Sequence, residues 1–206
     1  MKPTPYHHGA LKEALLNAAE TIIRRDGLTG LTLRAAAREA GVSHAAPAHH
    51  FGDLTGLLTD LAADGFRRFG AALEAATSAA DARRWDGARA YLAFAQANPA
   101  LFQLMFRSDR LDVSRPDFKE ARMHALGLLA SSRSTPVENP SLEQLGNVMG
   151  GWSIVHGFTM LLLDGRIRAV LSIAPAGTTP EELFDAMLAS VDNNRIGPDR
   201  NTTNAA

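Results

Sequence analysis

The sequence predicts an all-α protein. Apolar residues recur at the spacing of one helix face, capping residues and prolines lie where helices would begin and end, and strand signals are few. The chain has 206 residues and is 46% hydrophobic, so it can bury a sizeable core in one or two domains.

The N-terminal quarter predicts three helices in succession. Gly27 would end the first helix after two arginines, and Thr32 can cap the second. Gly41 can adopt the left-handed conformation that reverses the chain, and Ser43 can cap a third helix that begins at His44. Two short helices would therefore meet at a three-residue turn. The apolar face of the first helix comprises Leu11, Leu15, Ala18, Ala19 and Ile22.

Six further segments have few strand signals and are predicted to be helices. Prolines lie near their boundaries, where a missing amide and a fixed φ do little harm. The last residues, 196–206, lack apolar periodicity and predict a disordered tail. The six segments are 54–78, 82–98, 99–106, 117–131, 142–164 and 180–193, and the prolines are Pro99, Pro136, Pro140 and Pro180.

Composition narrows the class of protein. The chain has no cysteine, which excludes disulfides, thiolate metal sites and a cysteine nucleophile and makes the reducing cytoplasm the expected compartment. The N-terminal residues lack the apolar core of a signal peptide, and polar residues and glycines interrupt the most apolar run, 148–163, so we expect no membrane-spanning segment. Residues 1–51 carry six Lys+Arg and four Asp+Glu, and they also contain five of the seven histidines. This excess of positive charge suits binding to nucleic acid.

The second and third predicted helices match a helix-turn-helix. Three small residues, Ala36, Ala37 and Ala40, allow the second helix to lie close to its neighbour, while Val42 and Phe51 can anchor the third. Short helix pairs with a glycine turn also occur without DNA binding, so spacing alone leaves both interpretations open. In a DNA-binding protein the positions of the third helix free to enter a major groove would be His44, Ala45, Ala46, Ala48 and His49.

These residues resemble the TetR family of bacterial transcriptional repressors. Residues 14–58 follow the three-helix DNA-binding pattern of that family into its long fourth helix, and "NPALFQLMF" and "GGWSIVHGF" are similar to a subgroup with a Trp and a His-Gly pair in the ligand-binding domain. The resemblance implies an N-terminal DNA-binding domain over 1–53 and a helical ligand-binding and dimerisation domain over 54–195. It further implies a cytoplasmic homodimer, formed through the last two long helices, that binds double-stranded operator DNA and releases it when a small molecule binds.

The resemblance also assigns DNA-binding roles. It places Thr32, Arg34 and Ser43 near the DNA backbone, His44, Ala45, Ala46 and His49 on the base-facing helix, and His50 at a frequent phosphate contact. Two positions depart from the family pattern. Ala48 stands where an aromatic residue, most often Tyr, is usual, and Leu54 where a Lys is usual, so two phosphate anchors are replaced.

Two other features of the third helix have simpler interpretations. Pro47 would lie in its first turn, where a proline forfeits little hydrogen bonding. A metal site is disfavoured, because His49 and His50 are adjacent and point in different directions, while His44 lies five and six residues earlier. The histidines fit better beside phosphates and bases, or as solvated surface, and the sequence indicates no metal and no cofactor.

The predicted ligand site lies in the C-terminal domain. Trp152 and His156 are four residues apart on one helix face, which Met149 extends. Such a stripe is more often core or dimer interface, but buried indole and imidazole groups need hydrogen-bond partners and could orient a ligand. Further candidates for lining the same cavity are Phe66, Phe69, Tyr91, Phe94, Phe102, Met105, Phe106 and Met123.

The dimer and the rival functions complete the prediction. Two apolar stripes, on 142–163 and 183–191, are not easily covered by one small domain and could form a four-helix interface. An enzyme is disfavoured, since the chain has no Gly-rich phosphate loop, nucleophile elbow or His-Glu-x-x-His pattern. The alternative function is a helical dimer that binds a ligand or a protein but has weak or lost DNA binding. The apolar stripe on 142–163 comprises Leu142, Leu145, Val148, Met149, Trp152, Val155 and Leu163. The stripe on 183–191 comprises Leu183, Phe184, Met187, Leu188 and Val191.

Overall fold

A computed structural model describes residues 8–78, 80–131 and 138–195. These residues form α-helices and two short 3-10 helices, Leu28–Gly30 and Ser108–Arg110, so the predicted all-α fold is confirmed. The predicted tail, 196–206, lies outside the described residues. The helices are α1 His8–Asp26, α2 Leu33–Glu39, α3 Ala46–Phe51, α4 Leu54–Thr77, α5 Asp86–Ala97, α6 Pro99–Met105, α7 Pro116–Ser131, α8 Leu142–Leu163, α9 Arg168–Leu171 and α10 Pro180–Arg195.

The start of α2 follows the prediction. The Thr32 hydroxyl accepts a hydrogen bond of 3.0 Å from the amide of Ala35, which satisfies one of the free donors at the helix N-terminus. Ala36 and Ala37 are fully buried, and α2 packs against α1. Gly41 follows α2 with a φ of +67°, the left-handed conformation that reverses the chain.

The start of α3 differs from the prediction. The helix begins at Ala46 rather than His44, Ser43 does not cap it, and the turn runs from Ala40 to Ala45. A helix capped by Ser43 would have the amide of Pro47 donate to the Ser43 carbonyl, and proline has no amide proton. That carbonyl instead accepts a bond of 3.0 Å from the Ala46 amide.

Helix α4 is the central element of the fold. Asp53 caps it by accepting a 2.8 Å hydrogen bond from the Gly56 amide, and more than half of the helix is buried. It contacts α1, α3, α5, α6 and α7. A Cβ at Gly56 would collide with the carbonyl of Phe51, so glycine is needed where α3 passes into α4.

The chain divides into two compact units, Met1–Ser153 and Ile154–Ala206, with the boundary inside α8. In the second unit the rings of Phe158 and Phe184 pack 4.9 Å apart, and Leu188 is buried. This division does not coincide with the predicted boundary after Asp53, which stays a prediction. Among the described residues, no helix combines the length and apolarity needed to cross a membrane.

Candidate functional site: a helix-turn-helix surface and an apolar cavity

Helix α3 is fixed by two buried residues and leaves most of its predicted DNA-facing side open. Pro47 and Phe51 are buried, so Pro47 contributes to the core as well as fitting the first turn. Five of the predicted positions are exposed: Ser43, His44, Ala45, Ala48 and His49. The other two, Ala46 and His50, are half-buried. The rings of His49 and His50 stack with centroids 5.6 Å apart, so these two side chains lie side by side and do not point in different directions as predicted.

Cationic side chains lie on the adjoining helix. Arg34 and Arg38 of α2 are exposed, and neither forms an ion pair with a carboxylate in the described part of the chain. Arg25, by contrast, is held by Asp26 and Glu39 at the end of α1. The first pair of arginines is therefore available to phosphate, together with the exposed Thr32.

A cavity of about 410 Å³ lies in the first unit, among α4, α6, α7 and the first half of α8. Its size falls in the range of small-molecule sites, and its walls are mostly apolar. Six predicted residues line it: Phe66, Phe69, Met105, Phe106, Met123 and Trp152. The other lining residues are Ser108, Leu111, Val113, Phe118, Arg122, Ala125, Leu126 and Leu129.

Five other predicted ligand contacts do not line this cavity. Tyr91, Phe94 and Phe102 are buried behind it, where they pack against Phe69 at ring distances of 4.9, 5.3 and 6.4 Å. Met149 is 49% exposed, because it lies on the outer side of α8. His156 is half-buried and belongs to the second unit.

A hydrogen bond links the cavity wall to that core. The indole Nε1 of Trp152 donates to the phenolic oxygen of Tyr91 at 3.3 Å. Burial raises the pKa of Tyr91, an effect that the bond from Trp152 partly opposes, so the phenol stays protonated. The hydrogen-bond partner that the sequence analysis expected for the indole of Trp152 is therefore Tyr91. Burial also lowers the pKa of His156, which favours its neutral form.

The comparisons with known proteins identify the family. A family model described as the Tetracyclin repressor-like, C-terminal domain matches residues 86–191. A solved structure of a protein of unknown function from Rhodococcus sp. RHA1 is 33% identical, covers 93% of this chain and 96% of its own, and has a TM-score of 0.70. The chain belongs to the TetR family. It is a transcription regulator and not an enzyme.

Two more solved structures in the TetR family share the fold. A protein from Shewanella sp. PV-4, described as a tetR family transcription regulator, is 26% identical, with a TM-score of 0.60 over 89% of this chain and 97% of that one. The TetR family transcriptional regulator PfmR from Thermus thermophilus is 20% identical, with a TM-score of 0.52 over 85% of this chain and 97% of that one. No curated protein sequence gives a significant match.

Of the α7 residues that line the cavity of this TetR protein, sequence reasoning predicted only Met123. Phe118 and Ala125 lie seven residues apart on the buried face of α7, a spacing that could have been found. Arg122 gave no such signal, since an arginine on a helix is usually solvated surface. Among the described residues, no group of three or more His, Asp or Glu side chains is arranged to hold a metal ion.

Proposed function

We propose that this TetR-family protein is a homodimeric repressor that binds a palindromic operator and releases it when a small molecule enters the cavity. One observation carries the proposal: the same helix, α4, contacts α1 and α3 and lines the cavity with Phe66 and Phe69. A ligand that changes the position of α4 would therefore change the position of the helix-turn-helix. This function requires access to chromosomal DNA and hence the cytoplasm.

DNA recognition is proposed to combine two kinds of contact. Arg34 and Thr32 are suited to the phosphate backbone, with Ser43 and His50 as further candidates. The exposed His44, Ala45 and His49 would face base edges, with Ala46 contributing its exposed part. Two-fold symmetry would place the half-sites in successive major grooves, roughly 34–36 Å apart or a multiple of that distance.

Two polar clusters support coupling between the DNA-binding helices and the cavity. In the first, the guanidinium of Arg68 on α4 donates to Glu20 of α1 at 2.6 Å and to Asn98 at 2.9 Å. Asn98 immediately precedes α6, whose Met105 lines the cavity. The cluster therefore joins α1 of the proposed DNA-binding domain, the central helix α4 and the start of the cavity helix α6 through hydrogen bonds to one side chain.

The second cluster is centred on Asp60 of α4, which is only 8% exposed. It pairs with Lys12 of α1 at 2.8 Å and with Arg115 at 3.1 Å. Arg115 immediately precedes α7 and also donates to the carbonyl of Gly56. A buried carboxylate is costly to leave unpaired. A movement of α7 that displaced Arg115 would therefore change the pairing of Asp60, and with it the contact between Asp60 and Lys12 of α1.

Dimerisation is proposed through α8 and α10. In the first unit, Leu142, Leu145 and Met149 of α8 are 85%, 44% and 49% exposed. In the second unit, α10 buries Phe184 and Leu188 but leaves Leu183, Met187 and Val191 only half-buried. Exposed apolar residues at helical spacing are typical of surfaces that a partner covers.

A gel-shift assay tests the proposal. Purified protein should retard DNA from upstream of its own coding region and should bind it more tightly than random DNA of equal length. Arg34→Ala should weaken binding to both. Equal weak binding to both DNAs by the unsubstituted protein would favour the second candidate function, a helical ligand- or protein-binding dimer. Ala48 and Leu54 favour that candidate, because they replace two usual phosphate contacts.

A further inference from the structure

The cavity contains one charged side chain among the described residues that line it. That residue is Arg122 of α7, while the other walls are aromatic, aliphatic or methionine side chains apart from Ser108. The indole of Trp152 already donates to Tyr91. A cation at an apolar cavity is an unusual lining, because a charge beside apolar walls loses part of its hydration.

Arg122 has no carboxylate partner in the described part of the chain. It lies over the ring of Phe118, whose centroid is 5.9 Å from the guanidinium carbon. The residues one helical turn away offer no acid: they are Phe118 and Lys119 on one side and Ala125 and Leu126 on the other. The donors of the guanidinium are therefore left to solvent or to a ligand.

The guanidinium of Arg122 lies over Phe118, a residue that also lines the cavity. Phe118 is 2% exposed and packs edge-on against Phe66 with centroids 5.7 Å apart. A guanidinium within about 6 Å of an aromatic face is attracted by the ring and still presents its N–H groups at its edge. The guanidinium of Arg122 therefore lies beside an apolar wall of the cavity, and the exposed side chain can offer its N–H donors to a ligand.

The mouth of the cavity is apolar as well. Val113 and Met123 line the cavity and leave 43% and 46% of their surface exposed. A ligand that covers them would need an apolar body, whereas Arg122 would complement a negative charge. A molecule with an apolar body and a negative charge would complement both the apolar walls and Arg122.

We propose that the effector is an organic anion with an apolar body, whose acidic group pairs with Arg122 while the body fills the space between α4, α6 and α7. The inference rests on the proposed ligand cavity and adds the chemical class of its occupant. Carboxylate and sulfonate groups both match the fork of a guanidinium. Arg122 is exposed, so solvent screens the pair, and the expected gain is about tenfold in affinity rather than more.

Two fluorescent probes with the same ring frame test this inference. 8-Anilinonaphthalene-1-sulfonate carries a sulfonate, and N-phenyl-1-naphthylamine lacks it. Both are titrated into the full-length protein and into Arg122→Met, which keeps much of the side-chain volume and removes the charge. The sulfonate probe should bind the variant about tenfold more weakly, whereas the affinity of the neutral probe should change little.

Two further variants serve as controls. Lys119→Met removes the same charge from the exposed surface of α7 without changing the cavity lining, and should reduce sulfonate binding far less than Arg122→Met. Arg122→Lys keeps the charge but loses the planar fork, so its affinity for the sulfonate probe should lie between those of the unsubstituted protein and Arg122→Met. An equal loss with Lys119→Met, or equal changes for the two probes, would overturn the inference and leave the proposed function intact. Failure of both probes to bind the unsubstituted protein would instead reject the cavity as the ligand site.

Discussion

His49 occupies an exposed position on α3, one residue before the half-buried His50. Replacing His49 with Ala should reduce discrimination between operator and random DNA, because it would remove a hydrogen-bonding group proposed to face base edges. Arg34→Ala should weaken binding to both DNAs and make the salt dependence shallower. Affinities for both DNAs over a salt series measure these effects. Equal losses on the two DNAs for His49→Ala would show that His49 does not read bases.

The two departures from the family pattern provide a second test at the scale of single residues. Leu54 is the first residue of α4, and Ala48 is exposed on α3. Leu54→Lys should tighten binding to any duplex and change the slope of log affinity against log salt by about −0.9, the value for one added phosphate contact. Ala48→Tyr adds a neutral hydrogen bond and should leave the slope nearly unchanged. An unchanged slope for Leu54→Lys would mean that this turn does not face phosphate.

Single residues were predictable where their effect is local. The Thr32 cap and the left-handed Gly41 depend on a few neighbouring backbone groups, and the structure confirms both. The predicted Ser43 cap is wrong, although the reason also lies in the sequence: Pro47 four residues later has no amide to donate. The missing donor of proline outweighs the capping preference of serine.

At the scale of elements, Arg68 of α4 joins α1 to the start of α6. Arg68→Met should leave the nearly buried Glu20 with the exposed Arg24 as its ion-pair partner among the described residues, and should lower the free energy of unfolding by roughly 1–2 kcal/mol. The proposed mechanism also predicts that saturating 8-anilinonaphthalene-1-sulfonate lowers DNA affinity, and Arg68→Met should reduce that loss. Urea denaturation and gel-shift assays with and without the probe measure the two effects.

The neighbouring Arg67 supplies a matched control for that substitution. Its ion pair is with Asp64, one turn away on the same helix, so Arg67→Met removes a charge from α4 without separating elements. Stability and the response to the probe should both stay close to those of the unsubstituted protein. If Arg67→Met and Arg68→Met had the same effect on probe-induced release, the cluster around Arg68 would not be a specific link.

Helices were easier to predict than the cavity between them. Periodicity and proline positions place α4 through α8 to within a few residues, but the four-residue α9 is too short to give a periodic signal. The cavity depends on which faces of four helices converge, and a pattern along one helix does not contain that information. The sequence therefore left Tyr91 and Phe102 as candidates for either the core or the cavity lining, and in the structure both are fully buried.

At the scale of the whole molecule, the central prediction is that the protein is a homodimer at micromolar concentration. Leu145→Glu combined with Met149→Glu should shift it towards a monomer in sedimentation velocity, because two charges would be buried in the proposed interface. Operator binding should fall as well, since a monomer engages one half-site. A monomeric unsubstituted protein would contradict the mechanism as a whole.

Ile173 supplies the control for the dimer test. It is 86% exposed, follows α9 and lies outside the two helices proposed to form the interface. Ile173→Glu also replaces an exposed apolar side chain with a charged one, but should leave the sedimentation coefficient unchanged. A loss of the dimer in this variant would move the interface away from the proposed surface.

The bond between Trp152 and Tyr91 also gives the protein a built-in optical signal. Trp152 is one of two tryptophans in the chain, and its indole lines the cavity beside Phe106 while donating to a buried phenol. The emission wavelength of an indole follows the polarity around its ring, so an apolar guest that displaced water would move the emission towards the blue. The other tryptophan, Trp85, does not line the cavity, and Trp85→Phe would leave Trp152 as the single emitter. Entry of unlabelled molecules into the cavity could then be measured from the emission wavelength of Trp152.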